Sequence, residues 1–141
     1  MQSSNIAEEF LDVIPRAMSI IRTKMREVPR SNLTLLQFRV LVNLAEKKLT
    51  QTELAENVGV STPTLSRLLD GLKKQNLVAQ IQSKKDRRNN YLELTKEGHI
   101  KIADIRKSAC QTLNNHFSQI DRAQKTALES GLKALREIFP S

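Results

Sequence analysis

The residues in this chain best suited to recognition chemistry are Ser61, Thr62, Pro63, Thr64, Ser66 and Arg67, followed by Lys84, Lys85, Asp86, Arg87 and Arg88. The first group sets short hydroxyl side chains, a proline and one arginine at what reads as the front of a helix. Hydroxyls and small apolar surfaces fit base-pair edges in a major groove, and an arginine there can grip guanine with two parallel hydrogen bonds. The second group is a basic turn holding one carboxylate, the kind of cluster that reaches phosphates or an adjacent minor groove. From Ser61 to Asn90 seven basic residues stand against two acidic ones, so five of the chain's net eight positive charges fall in this window. An amphipathic helix with Ser and Thr at its start, or a solvated basic turn, would explain either group alone. Charge focused where both occur favours double-stranded DNA as the partner.

The elements that must position these groups can be read outward from them. Within Thr50 to Leu68, small Ala55 lies four residues before Gly59, with Leu54, Val58, Val60, Leu65 and Leu68 around them. Two helices crossing steeply through a short turn need a small residue at the contact, a glycine in the turn and apolar residues inside, which is a helix-turn-helix. Thr50 and Glu53 have the capping-box spacing for the first helix. Ser61 or Thr62 can cap the second, with Pro63 in the first turn, where a missing amide hydrogen costs little. Thr62, Pro63, Thr64, Ser66 and Arg67 should then face outward, and Leu65, Leu68, Leu69 and Leu72 inward. Leu77 to Gln82 and Tyr91 to Leu94 alternate like strands and flank the basic turn, which predicts a β-hairpin.

Further out the chain is helical. Ile6, Phe10, Val13, Ile14, Ala17, Ile20, Ile21 and Met25 form one stripe to about Glu27, and Pro15 should kink that helix or put a short turn before it. Thr34 and Gln37 repeat the capping-box spacing before a helix from Leu35 to Glu46, whose expected buried face is Phe38, Leu41, Val42 and Ala45. Thr95 caps a long helix bearing Ile102, Ile105, Ala109 and Leu113. Asp121 and Gln124 cap a last one bearing Ala127, Leu128, Leu132, Leu135, Ile138 and Phe139. The terminal stripes exceed what a small winged domain can bury, which favours burial between subunits.

Length and composition limit the alternatives. At 141 residues and 39% hydrophobic content the chain suits one domain, and its apolar residues are mostly Leu, Ile, Val and Ala. No apolar run approaches the roughly 20 residues of a spanning helix, and Glu8, Glu9 and Asp12 do not suit a signal peptide, so the sequence reads as cytoplasmic. Cys110 is the single cysteine, expected to pack as a small hydrophobe. With His99 and His116 it matches no common metal-ligand spacing, so no metal or cofactor is expected. No catalytic constellation or phosphate-cradling glycine loop is present, which argues against an enzyme.

The segment from Leu33 to about Ile120 resembles the MarR family of bacterial winged helix-turn-helix regulators. The resemblance rests on LTLLQFRVLVNLAE, on LTQTELAENVGVSTPTLSRLLDGLKKQNLV and above all on DRRNNYLELTKEG, which is similar to the family's wing tip running into an LTxxG helix start. It implies a mainly α fold with a small β-hairpin wing: an N-terminal dimerisation helix over 1–31, a winged helix-turn-helix over 32–95 and C-terminal dimerisation helices over 96–141. It also implies a homodimer on a pseudo-palindromic operator, with Arg88 in the flanking minor groove, Asp86 orienting it, and affinity modulated by a small aromatic or anionic effector. A cysteine-based redox regulator and a non-catalytic protein binding a partner through its basic surface are the competing expectations.

Overall fold

The computed structural model describes residues 3–27, 33–82, 84–85 and 90–140. Its helices are α1 (Ser3–Glu27), α2 (Leu35–Glu46), α3 (Gln51–Val58), α4 (Thr62–Lys74), α5 (Lys96–Phe117) and α6 (Arg122–Ile138); its strands are β1 (Leu49–Thr50), β2 (Val78–Gln82) and β3 (Asn90–Leu94). The chain divides into two units, 1–109 and 110–141.

Helix α1 runs without a break through Pro15, so a turn before the main helix does not form. Twenty-five residues leave enough intact hydrogen bonds on either side of the one the proline removes. Of its stripe, Met25 is buried and joins the core of the first unit, whereas Ile6 and Val13 are exposed.

Helix α2 starts on a complete capping box: the Thr34 hydroxyl accepts from the Gln37 amide at 3.1 Å, and the Gln37 side-chain oxygen accepts from the Thr34 amide at 3.1 Å. Its buried face differs from the expected one. Val40, Leu41 and Leu44 are buried, Phe38 packs at the margin, and Val42 and Ala45 are exposed. Apolar residues surround most of this helix, so periodicity alone does not choose the side, and packing against α3, α4 and β3 does.

Two residues of β1 add a third strand to the expected hairpin. The sheet is antiparallel with order β1-β3-β2, Leu49 opposite Leu92 and Thr50 opposite Tyr91. The Thr50 hydroxyl accepts from the Glu53 amide at 3.2 Å and caps α3, but it also donates to the Glu53 carboxylate at 2.9 Å. The second expected capping box is therefore half formed, its carboxylate turned to the cap hydroxyl. Helix α3 ends at Gly59, whose φ of +79° is the left-handed conformation that a residue without Cβ adopts freely. The core joins Leu41, Leu49, Leu54, Leu65, Leu69, Leu72, Leu92 and Ile105, drawn from α2 to α5 and the sheet.

The junction between α4, the wing and α5 is closely tied. Asn76 takes φ +59°, its amide donates to Lys73 O at 2.9 Å, and the Leu77 amide reaches back to Leu72 O at 3.0 Å, a Schellman ending with Asn in the glycine position. The Thr95 hydroxyl donates to Asn76 O at 2.6 Å and accepts from the Gly98 amide at 3.0 Å, capping α5 as expected. A Cβ on Gly98 would collide with the Leu77 carbonyl oxygen, so a side chain is excluded there by close approach. The Thr and Gly of the LTxxG pattern thus fasten the root of the wing.

In the second unit α6 begins on the expected box: the Gln124 amide donates to Asp121 Oδ1 at 2.7 Å, and Gln124 Oε1 accepts from the Asp121 amide at 3.1 Å. No residue of α6 is buried. A 370 Å³ groove between the end of α5 and α6 is lined by Phe117, Ile120, Leu128 and Leu132 among others.

Candidate nucleic-acid interface

The front of α4 is built from a cap and an anchored face. Ser61, not Thr62, is the cap: its hydroxyl accepts from the Thr64 amide at 3.3 Å and donates to Thr64 Oγ1 at 3.0 Å. Leu65, Leu69 and Leu72 are fully buried and Leu68 packs against them, which fixes the rotation of the helix. Thr62, Pro63 and Arg67 consequently project outward and are exposed.

Thr64 and Ser66, both expected outside, are half-buried. Ser66 Oγ accepts from Gln51 Nε2 at 2.7 Å, and Thr64 Oγ1 already accepts from Ser61. Each therefore keeps its own O–H proton for an outside acceptor, such as a guanine O6 or a thymine O4. Gln51 went unnoticed in the sequence. It sits at the first position of α3 and ties that helix to α4 fifteen residues on, a separation that leaves no local pattern.

The wing is held to the same helix. Ile81 pairs with Tyr91 and Val78 with Leu94 across β2 and β3, and Lys73 Nζ at the rear of α4 donates to Gln80 Oε1 at 3.0 Å. Lys84 and Lys85 are exposed beyond β2. Asp86, Arg87 and Arg88, and with them the expected orientation of Arg88 by Asp86, lie outside the described residues. The ion pairs Asp12–Arg16 and Lys24–Glu27 both lie within α1. Arg67, Lys74 and Lys84 carry charges that no described carboxylate neutralises, the condition under which a polyanion is attracted.

A groove of about 290 Å³ lies on the wing sheet, lined by Lys48, Ile81, Gln82, Lys84 and Tyr91. Lys48 also escaped the sequence reading, because it precedes a strand too short to predict.

Cys110 is exposed and not packed as a small hydrophobe: Ile105 and Ala109 take the buried side of α5, and the next residue is turned about 100° away from Ala109. His99 and His116 are exposed as well, the latter's Nδ1 lying 2.9 Å from Thr112 O. Among the described residues no group of three His, Cys, Asp or Glu side chains could hold a metal ion, and no helix is long and apolar enough to cross a membrane.

A family model described as MarR family matches residues 31–89. The HTH-type transcriptional repressor YetL of Bacillus subtilis (strain 168) is 34% identical over 87 residues, which are 60% of this chain and 48% of YetL, so the chain spans about half the length of that curated relative. The crystal structure of RV1404 from Mycobacterium tuberculosis is similar over 98% of this chain and 95% of its own, with a TM-score of 0.88 and 24% identity. A mutant of S. aureus MepR bound to an oligodeoxyribonucleotide is similar over 95% of this chain and 98% of its own, with a TM-score of 0.69 and 20% identity. At these identities the two structures establish a shared fold.

Proposed function

We propose that the chain is a winged helix-turn-helix regulator of the MarR family, whose model matches residues 31–89, and that it is a sequence-specific DNA-binding repressor acting as a homodimer on a pseudo-palindromic operator. The observation that carries this reading is the front of α4, where Thr62, Pro63 and Arg67 are exposed over a fully buried leucine face, beside the exposed Lys84 of the wing. In this reading Thr62, Pro63, Thr64, Ser66 and Arg67 face the major groove, and Ser61 holds their first turn. Lys84, Lys85, Arg87 and Arg88 grip the flank, with Asp86 orienting Arg88. Similarity to a protein named as a repressor, and to one whose structure is bound to an oligodeoxyribonucleotide, supports it.

The dimer is supported by apolar side chains that the chain leaves in solvent, Leu11 on α1 and Leu132, Ile138 and Phe139 at the C-terminal end. Several large apolar side chains left in solvent at one end of a helix are suited to burial against a partner. Residues 1–31 and 96–141 supply it in this reading, and 32–95 the DNA-binding part. Two α4 helices would then meet half-sites about 34–36 Å apart. Modulation by a small aromatic or anionic effector follows from the same kinship.

Selection of bound fragments from sheared genomic DNA tests the reading. Enrichment of fragments sharing an inverted repeat is expected. Recovery of the input distribution would overturn sequence-specific binding.

A further inference from the structure

The wing sheet carries a basic groove that shares Lys84 with the wing and adds Lys48, which belongs neither to the front of α4 nor to the wing. Strand parity explains its composition. Leu49, Leu92, Leu94 and Val78 point into the core, which sends Thr50, Ala79, Ile81, Tyr91 and Glu93 to the opposite face, where all five are half-buried and Glu93, paired with Ala79, stays outside the lining of the groove. Lys48 stands just before β1 at one edge, and Lys84 follows β2 at the other. The strand order β1-β3-β2 places Tyr91 on the strand between them. The groove of about 290 Å³ lined by these residues therefore has an apolar floor of Tyr91 and Ile81 and an ammonium group from each side. Lys48 and Lys84 are both exposed, and neither pairs with a carboxylate among the described residues.

We propose that this groove seats one sugar-phosphate strand of the bound duplex, with deoxyribose against Tyr91 and Ile81 and phosphates drawn to Lys48 and Lys84. The combination selects the occupant. A free inorganic anion would use the lysines and leave the floor uncovered, and an apolar ligand would cover the floor without using the charges. A nucleic-acid backbone alternates an apolar sugar with an anionic phosphate and satisfies both; a single aromatic anion could do so too, but only a strand also runs on along the wing. The groove is also continuous with the wing, since Lys84 belongs to each. Lys48 becomes a positioning residue that fixes the wing against the backbone and carries no base specificity. This inference rests on the reading of the chain as DNA-binding.

The test measures binding of the full chain to a mixed-sequence duplex by fluorescence anisotropy across a salt series, for wild type, Lys48→Ala, Lys48→Arg and Lys133→Ala. Removing the cation that neutralises one phosphate should lower the slope of log K against log salt by about 0.9. A shallower slope for Lys48→Ala, rescued by Lys48→Arg and absent for Lys133→Ala, which removes the same charge from α6, supports the proposal. Equal slopes for wild type and Lys48→Ala, with the wild type steeply salt-dependent, overturn the groove while leaving DNA binding intact. Wild-type binding that ignores salt overturns the DNA-binding reading itself and the groove with it. A melting temperature unchanged in Lys48→Ala excludes misfolding as the cause of any loss.

Discussion

Helices α4 and α6 are written in the same pattern and end in opposite situations. Each carries leucines at helical spacing along one side, polar residues on the other and a side-chain cap at its N-terminus. On α4 the leucines at 65, 69 and 72 are 0%, 1% and 0% exposed; on α6 Leu128, Leu132 and Ile138 are 37%, 54% and 65% exposed. An apolar stripe states that a helix has a face to hide and says nothing about what hides it. For α4 the cover comes from α2, α3 and β2 of the same chain. For α6 most of that face is uncovered within the chain, and the proposed second subunit would cover it.

The difference in cover between α4 and α6 should show most strongly at Leu69. Truncation to alanine should cost about 2–5 kcal/mol, because the cavity is enclosed on every side and collapses poorly. Chemical denaturation of Leu69→Ala measures it, and a loss below about 1 kcal/mol would mean that the core around α4 is looser than its burial indicates. On the outer side of the same helix, Arg67→Ala should weaken operator binding by about 1–3 kcal/mol and relax the preference at one base pair. Its melting temperature should hold; a fall matching the loss of affinity would make Arg67 part of the scaffold. Ser61→Ala should destabilise the fold by about 1 kcal/mol by removing the cap of α4. Rescue by Ser61→Asp would confirm that the hydroxyl acts as an acceptor. The smallest effect is expected on α6, where Leu132→Ala should shift the stability of a dilute sample by no more than about 0.5 kcal/mol. In concentrated samples the same change should flatten the dependence of melting temperature on protein concentration that a dimer shows. A large loss at all concentrations would place the cover of α6 within one chain.

What could be read from the sequence was whatever its neighbours decide. The start of α2 at Thr34 and Gln37, the start of α6 at Asp121 and Gln124, the stop at Gly59 and the Thr95 cap are each settled within four residues, and each is found where the spacing put it. Choices made by distant partners were not legible. Strand β1 exists only because β3 pairs with it, the buried side of α2 is chosen by three other elements, and the hydroxyl of Ser66 is claimed by Gln51. In the candidate site the leucine face of α4 was readable by period. The partial burial of Thr64 and Ser66 was not, because it depends on how closely α3 crosses. Cys110 shows the limit of period itself: one step along α5 from Ala109 separates the core from solvent.

The clasp at the root of the wing has a consequence for how such a chain can change. Thr95 and Gly98 lock the end of α4 to the start of α5 through Asn76 and Leu77, below every residue of the hairpin. Lengthening a loop whose ends are already held adds only about 0.6 kcal/mol of closure cost per doubling of its length. The tip can therefore gain, lose or exchange residues while α4 keeps its place, so that, under the proposed function, grip on the flanking DNA and choice of sequence can be retuned independently in descendants of one scaffold.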